Sequence, residues 1–186
     1  MKFYYLNFLL SLNLVLCNRI WIEPRYYYFF GKSSPPEECP PNYYVIGFNL
    51  KLDKYKWFKD NTGLNGIKLI CNDWHRTELT SGEYELGKWT PTYGPYFNGF
   101  IGAELYSFPI SLFIWDDTTL NDIHFIEPDN KVVKVNNVWR SKRAKSFNLM
   151  CPKETKICGI KTQVENKRYF FDDTGLNSVA FLCCKI

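Results

Sequence analysis

The chain has 186 residues, a net charge of +4 and 18% aromatic residues, with 13 Tyr and 15 Phe among them. A chain of this length suits one hydrophobic core, and so many aromatic residues favour strands over helices. The charge is small and mixed in sign, which argues against a nucleic-acid-binding protein.

The first 17 residues have the pattern of a secretory signal peptide. Lys2 precedes an apolar run over residues 3–16, and the small residue Cys17 stands where cleavage would occur. The run is too short to span a membrane, and no second apolar stretch follows it. Acylation of Cys17, as in a lipoprotein, is an alternative that the preceding residue fits poorly. We predict a secreted, extracellular protein that has no membrane span and begins near Asn18.

One twelve-residue pattern then occurs three times, at intervals of 56 residues, and such a period indicates a repeated structural unit. Each copy opens with Asp or Asn and a Thr, which form turns, and continues with Leu-Asn and an alternating strand. A second alternating strand precedes each turn. We predict one domain over 18–186 with repeats at about 18–73, 74–129 and 130–186. The three copies are residues 60–71, 116–127 and 172–183.

Cysteine positions follow the same repeat. Six cysteines remain after Cys17, and sequence alone leaves their connectivity open. One kind opens the first and third repeats as Cys-Pro, and another kind closes them 32 residues later. The middle repeat lacks both, with Glu127 at the closing position, as expected when each kind pairs with the other. The predicted disulfides are Cys39–Cys71, Cys151–Cys183 and Cys158–Cys184.

The order Cys-Pro, a strand centred on Gly, Asp-Asp-Thr-x-Leu-Asn and a strand ending in Cys resembles the vitelline membrane outer layer protein 1 family. The closing residues 181–185, Phe-Leu-Cys-Cys-Lys, resemble it too, and the likeness covers essentially the whole mature chain. It implies an all-β fold: a β-prism of three Greek-key sheets around a pseudo-threefold axis. The chain departs from the family just before each turn, where segments that are usually short and rich in Pro and Gly are long and aromatic.

Acidic pairs in the turns, such as Asp116-Asp117 and Asp172-Asp173, are similar to the two carboxylates of a glycosidase. A catalytic centre is needed once, whereas a turn is needed in every repeat, so the repetition favours turn formation. Calcium is a weaker interpretation of the same acids. His75 and His124 belong to no nucleophile motif, and the cysteines are assigned to disulfides. We therefore predict no catalytic residue, no metal site and no cofactor.

The aromatic segments before the turns are the predicted binding surface. Three of their residues stand at matching positions, so a closed prism would bring them to equivalent places around its axis. Aromatic rings stack on sugars and anchor protein interfaces, although they could also fold back over the core. The candidate binding residues are Trp57, Phe113, Trp115 and Tyr169.

Two classes of function follow from the resemblance. The first is a non-catalytic structural protein of an extracellular coat or matrix, whose partners are other coat proteins and glycans. The second is a carbohydrate-binding protein that takes N-acetylglucosamine oligomers, with a lysozyme-like glycan transferase activity. Because a fold alone is a weak argument for activity, the first is preferred.

Overall fold

The structure is a computed structural model that describes residues 19–24, 31–53, 62–107, 120–136, 138, 144–165 and 175–186. Every regular element within these ranges is a β-strand, which confirms the all-β prediction. None of the described residues forms a helix with the length and apolarity needed to cross a membrane.

The described strands are numbered along the chain. The first seven are β1 (Arg19–Ile22), β2 (Lys32–Ser33), β3 (Glu37–Glu38), β4 (Val45–Leu52), β5 (Leu64–Cys71), β6 (Glu78–Leu79) and β7 (Lys88–Trp89). The others are β8 (Gly102–Ser107), β9 (Leu120–Ile126), β10 (Val132–Lys134), β11 (Lys145–Met150), β12 (Thr155–Val164) and β13 (Leu176–Lys185). The long strands carry the alternating apolar residues of the repeats.

The strands form three antiparallel sheets, each centred on the hairpin of one repeat. The order is β6-β5-β4-β7 in the first sheet and β10-β9-β8-β11 in the second. In both, three successive strands pair in turn and the fourth returns beside the first, which is a Greek key. The third sheet follows the same path as β1-β13-β12-β2, with β3 also paired to β12. Its outer strands come from the N-terminal part of the chain, so β1 beside β13 closes the prism.

Phenylalanine rings join the three sheets at the centre. Phe48 comes from the first sheet, Phe125 from the second and Phe181 from the third. The ring of Phe125 lies 4.5 Å from that of Phe48 and 5.7 Å from that of Phe181, between centroids. All three side chains are fully buried. Such ring pairs add about 0.5–1.5 kcal/mol beyond burial, so Phe125 couples the inner faces of all three sheets.

The Leu of each turn motif is also part of the core. Leu64, Leu120 and Leu176 are 0%, 3% and 0% exposed, and each is the first residue of the second strand of its hairpin. The next strand residues of the same face are apolar, as the alternation in the sequence predicts. The repeated Leu therefore marks the point at which each hairpin enters the common core.

The structure contains three disulfides, Cys39–Cys71, Cys151–Cys183 and Cys158–Cys184, which are the pairs derived from the repeat. Cys158 is the extra residue of a β-bulge between Ile157 and Gly159, and a bulge re-aims a side chain. In the second sheet, Glu127 stands at the closing cysteine position and is 6% exposed, with Lys131 Nζ 3.3 Å from its Oε1. An ion pair occupies the place of a disulfide there.

Candidate functional site

The four aromatic residues of the predicted binding surface, Trp57, Phe113, Trp115 and Tyr169, lie outside the described residues. They belong to the segments that connect the two strands of each central hairpin. The structure describes the strand ends on either side of these segments, so the surface itself stays a prediction. The connecting segments are residues 54–61, 108–119 and 166–174.

The connecting segments rejoin the prism at one place. Gly63 lies against Asn121 of the second sheet, and Gly175 lies against Thr62 and Asn65 of the first. Gly63 and Gly175 have φ of +67° and +69°, a conformation that glycine adopts without strain. Asn65 is fully buried, and its Nδ2 donates a hydrogen bond to Thr62 Oγ1 at 2.6 Å. The repeated Thr, Gly and Asn thus hold the hairpins together, and we call this end of the prism the loop end.

The described residues at the loop end enclose a cleft of about 420 Å³, which we call the loop-end cleft. Ligand sites commonly measure about 300–1,000 Å³, so the cleft has the size of a small-molecule site. Val164 pairs with Lys32 where β12 ends, and segment 166–174 begins two residues later. The cleft therefore adjoins the third aromatic segment. Its lining residues come from 32–35, 82–85 and 164–165.

Carboxylates dominate the charged lining of the cleft. Lys51, which is 9% exposed, lies 3.1 Å from Glu83 Oε2 and donates to the carbonyl oxygen of Tyr84 at 2.8 Å, so this wall is fixed. Glu165 is 4% exposed, and its backbone N–H donates to a carbonyl across the hairpin. Lys32 adds an amine to the lining. The arrangement combines anchored acceptors with a donor, which suits a ligand that carries several hydroxyl groups.

Sequence reasoning missed the cleft because its lining comes from three distant stretches that only the third sheet brings together. A weak indication was present, since a Lys follows Gly or Ala at the same point of each repeat. These lysines occupy equivalent edge positions at the loop end: Lys32 is opposite Val164, Lys88 opposite Leu52 and Lys145 opposite Ser107. The loop end therefore carries a cation on every sheet.

His124 lies in a polar cluster on the outer face of the second sheet. It occupies an outward strand position, as the repeat predicts, and yet it is only 6% exposed. Its Nε2 lies 3.0 Å from Asp122 Oδ2, and its Nδ1 lies 3.8 Å from Glu104 Oε2. Its ring packs on that of Tyr106 with 4.7 Å between centroids. These contacts hold the imidazole in place between two carboxylates and explain its burial.

The turn after β5 carries Trp74, whose residue surface is 92% exposed. Asp73 anchors this turn: it accepts hydrogen bonds from the backbone N–H groups of His75 and Thr77, at 3.2 and 2.9 Å, and from the Thr77 hydroxyl at 2.9 Å. Burial raises the pKa of the Asp73 carboxyl, but the hydrogen bonds outweigh burial and hold the pKa below its ordinary value. The charged carboxylate therefore stabilises the turn that presents Trp74.

Replacing Asp73 with Asn should destabilise the protein at pH 7 and matter progressively less below about pH 4. Because the folded pKa lies below the unfolded one, the carboxylate contributes stability that is complete above the unfolded pKa and is lost as the pH falls through the folded pKa. Urea denaturation of the wild type and Asp73→Asn at neutral and strongly acidic pH measures the difference. An equal loss at both pH values would contradict the role given to the charge.

Three Greek-key sheets around a shared core define a β-prism protein, and solved structures agree. Single-chain recombinant jacalin has a TM-score of 0.55 and 13% identity, with 89% of this chain and 93% of that chain covered. An artocarpin–mannopentose complex has a TM-score of 0.50 and 13% identity, with 88% and 93% covered. At such identities the likeness shows the fold alone.

Sequence comparison gives the family. The profile of Vitelline membrane outer layer protein I (VOMI) matches residues 23–186. The vitelline membrane outer layer protein 1 homolog of Mus musculus is 29% identical over 182 residues, which cover 89% of this chain and 88% of the relative. The Homo sapiens homolog is 30% identical over 162 residues, covering 81% and 75%. The chain belongs to the vitelline membrane outer layer protein I family, which confirms the resemblance seen in the sequence.

Proposed function

We propose that this chain is a secreted, non-catalytic protein of an extracellular coat or matrix and that it binds glycans at its loop end. Membership of the family supports the coat role, because relatives carry the name of the vitelline membrane outer layer. Three disulfides support an extracellular location, since such bonds persist in oxidising compartments. Residues 1–17 would then be a signal peptide.

The loop-end cleft is the observation that carries the glycan-binding part of the proposal. A sugar presents adjacent hydroxyl groups, and the carboxylates of Glu83, Glu85 and Glu165 can accept hydrogen bonds from them. Charge-assisted hydrogen bonds of this kind are stronger than neutral ones. Lys51 already fixes Glu83, so the ligand would not have to order that side chain itself. The fold relative artocarpin was solved with mannopentose, which makes a saccharide a reasonable occupant.

The aromatic connecting segments would complete this site. Each segment leaves a strand at the loop end, so its rings are tethered within a few residues of the cleft or of its counterparts on the other sheets. A flat aromatic ring offers apolar contact to a sugar face, and the carboxylates and amine offer hydrogen bonds. In this proposal Trp57, Phe113, Trp115 and Tyr169 surround the cleft as the contact surface.

Substitutions in the cleft should weaken glycan binding without unfolding the chain. Exchanging Glu85 for Gln and Lys32 for Ala together should lower the affinity for the bound glycan at least tenfold, since both line the cleft and both are exposed enough to change without a core defect. Isothermal titration of the mature chain measures this. Lys134→Ala removes an exposed amine on the second sheet and is the matched control, with unchanged affinity expected.

A companion double variant, Trp57→Ser with Trp115→Ser, tests the aromatic segments and should also abolish binding while the unfolding curve is preserved. If both double variants bind as the wild type does, the glycan lies elsewhere and the proposed site is wrong. Chromatography of the incubated glycan distinguishes the transferase alternative: a binding protein returns it unchanged, whereas longer or shorter oligomers would contradict a non-catalytic role.

A further inference from the structure

Three exposed aromatic residues lie at the end of the prism opposite the loop end. Tyr43 precedes β4, Trp74 follows β5, and Phe97 lies in the turn before β8. Their exposed fractions are 39%, 92% and 69%. We call these three residues the aromatic platform. Large apolar side chains that are exposed together often mark an interaction surface, whereas single ones do not.

Tyr44 connects the two turns that carry Trp74 and Phe97. Its backbone N–H donates to Asn72 Oδ1 at 2.8 Å, and its carbonyl oxygen accepts from the Asn72 N–H at 2.9 Å. Its hydroxyl donates to the carbonyl oxygen of Phe97 at 2.8 Å. The hydrogen bonds of Asp73 hold the turn on the other side. The platform is therefore built on a fixed frame, and a partner would pay little ordering entropy to use it.

The fold does not require these rings. The position that corresponds to Trp74 in the second repeat is Asn130, and the one that corresponds to Tyr43 is Gly99. Residues that specify the prism recur in each repeat, as the buried Leu does. The aromatic platform occurs in one repeat, so its exposed rings call for an explanation other than folding.

Cationic side chains accompany the platform. Lys156 reaches over from the third sheet and places its Nζ 4.1 Å from the centre of the Tyr44 ring. Arg76 is exposed two residues after Trp74. The nearby carboxylate of Asp73 is buried and already accepts the hydrogen bonds of its turn. A partner that meets the platform would therefore meet positive charge.

We infer that the aromatic platform binds an acidic polysaccharide, meaning a chain of sugar rings that bear carboxylate or sulfate groups. The platform projects from turns, and an extended polymer can lie across it, whereas a small molecule would need a concave site. The C–H face of a sugar ring matches the flat indole of Trp74. Arg76 can bind a carboxylate or sulfate through two parallel hydrogen bonds, and Lys156 adds a second cation.

Binding of the mature, disulfide-bonded chain to immobilised chondroitin sulfate tests this inference. The wild type should bind in 0.1 M salt and be released in 1 M salt, where charges are screened within about 3 Å. Trp74→Ala should weaken binding at least tenfold, and Arg76→Gln should weaken it about threefold to tenfold and reduce the salt dependence. Since Trp74 is almost fully exposed, the unfolding curve of Trp74→Ala should match that of the wild type.

Leu86→Ala is the matched control, because Leu86 is an exposed apolar residue just before β7 at the loop end, and its affinity should be unchanged. No retention of the wild type in 0.1 M salt would overturn the inference and leave a protein as the occupant, and so would full retention of Trp74→Ala. The platform does not depend on the proposed function. A Trp74→Ala chain that loses chondroitin sulfate but keeps its loop-end glycan would show two separate sites, through which one chain bridges two components of a coat.

Discussion

Replacing Leu64 with alanine should lower the free energy of unfolding by about 2–5 kcal/mol. Leu64 is fully buried in the common core, at the start of β5 and beside the buried Asn65. The hairpins converge here through close backbone contacts at Gly63 and Gly175, so the surrounding chain cannot collapse into the space that the side chain leaves. Leu176, the equivalent residue of the third repeat, should behave in the same way. Urea denaturation followed by circular dichroism measures both losses.

Leu86→Ala provides the control for this prediction. Leu86 is 37% exposed, and a surface substitution commonly changes stability by within about 0.5 kcal/mol. A loss of less than about 1 kcal/mol for both Leu64→Ala and Leu176→Ala would show that the repeated Leu does not contribute to a shared core. The three-sheet arrangement would then be wrong.

Removal of the Cys39–Cys71 disulfide should destabilise the protein by about 3–4 kcal/mol. The bond joins residues 32 positions apart, and without it the unfolded chain gains the entropy of an open loop. Alanine is preferable to serine at both positions, because Cys71 is fully buried and a serine hydroxyl would need a hydrogen-bond partner there. Thermal and urea unfolding of Cys39→Ala with Cys71→Ala, compared with the oxidised wild type, measures the effect.

The Cys158–Cys184 bond serves for comparison, since it closes a loop of similar size with a separation of 26 residues. Its removal should cost a similar amount in the loop-entropy account, about 3 kcal/mol. A loss below about 1 kcal/mol on removal of Cys39–Cys71 would mean that the hairpin contacts already restrain the opening of the first repeat.

The central hairpins could be predicted because the repeat states them three times. A fixed period, alternating apolar residues and paired cysteine positions all concern the same strands, and each observation limits the others. The Leu at the start of β5, β9 and β13 is one example: its recurrence before an inward strand required burial in every sheet. The joint absence of two cysteines from the middle repeat similarly led to the disulfide pairs.

The outer strands could not be predicted from the sequence. Four of them, β2, β3, β6 and β7, have two residues each, which is too short for any alternation to be recognised. They are strands because a long neighbour offers hydrogen-bonding groups, as β12 does to Lys32 and Glu37. The closure of the third sheet by residues 19–38 is likewise a property of the whole chain.

The exposed features were missed for a related reason. The loop-end cleft forms where residues 32–35 and 82–85 pass the end of β12, and no local pattern encodes that meeting. Trp74 lies in a stretch that is otherwise polar, so its sequence gave no indication of an exposed ring. Asp73 was the available clue, since an Asp that begins a short polar stretch after a strand often folds it into a turn.

Screening the mature chain on a glycan array tests the central claim most directly, because it asks for glycan binding without assuming a site or a partner. The account predicts reproducible, dose-dependent binding to a defined class of glycans. It also predicts that the Glu85→Gln and Lys32→Ala double variant loses binding to neutral members of that class while it keeps the wild-type unfolding curve. Binding to no glycan at any concentration of folded protein would contradict the account.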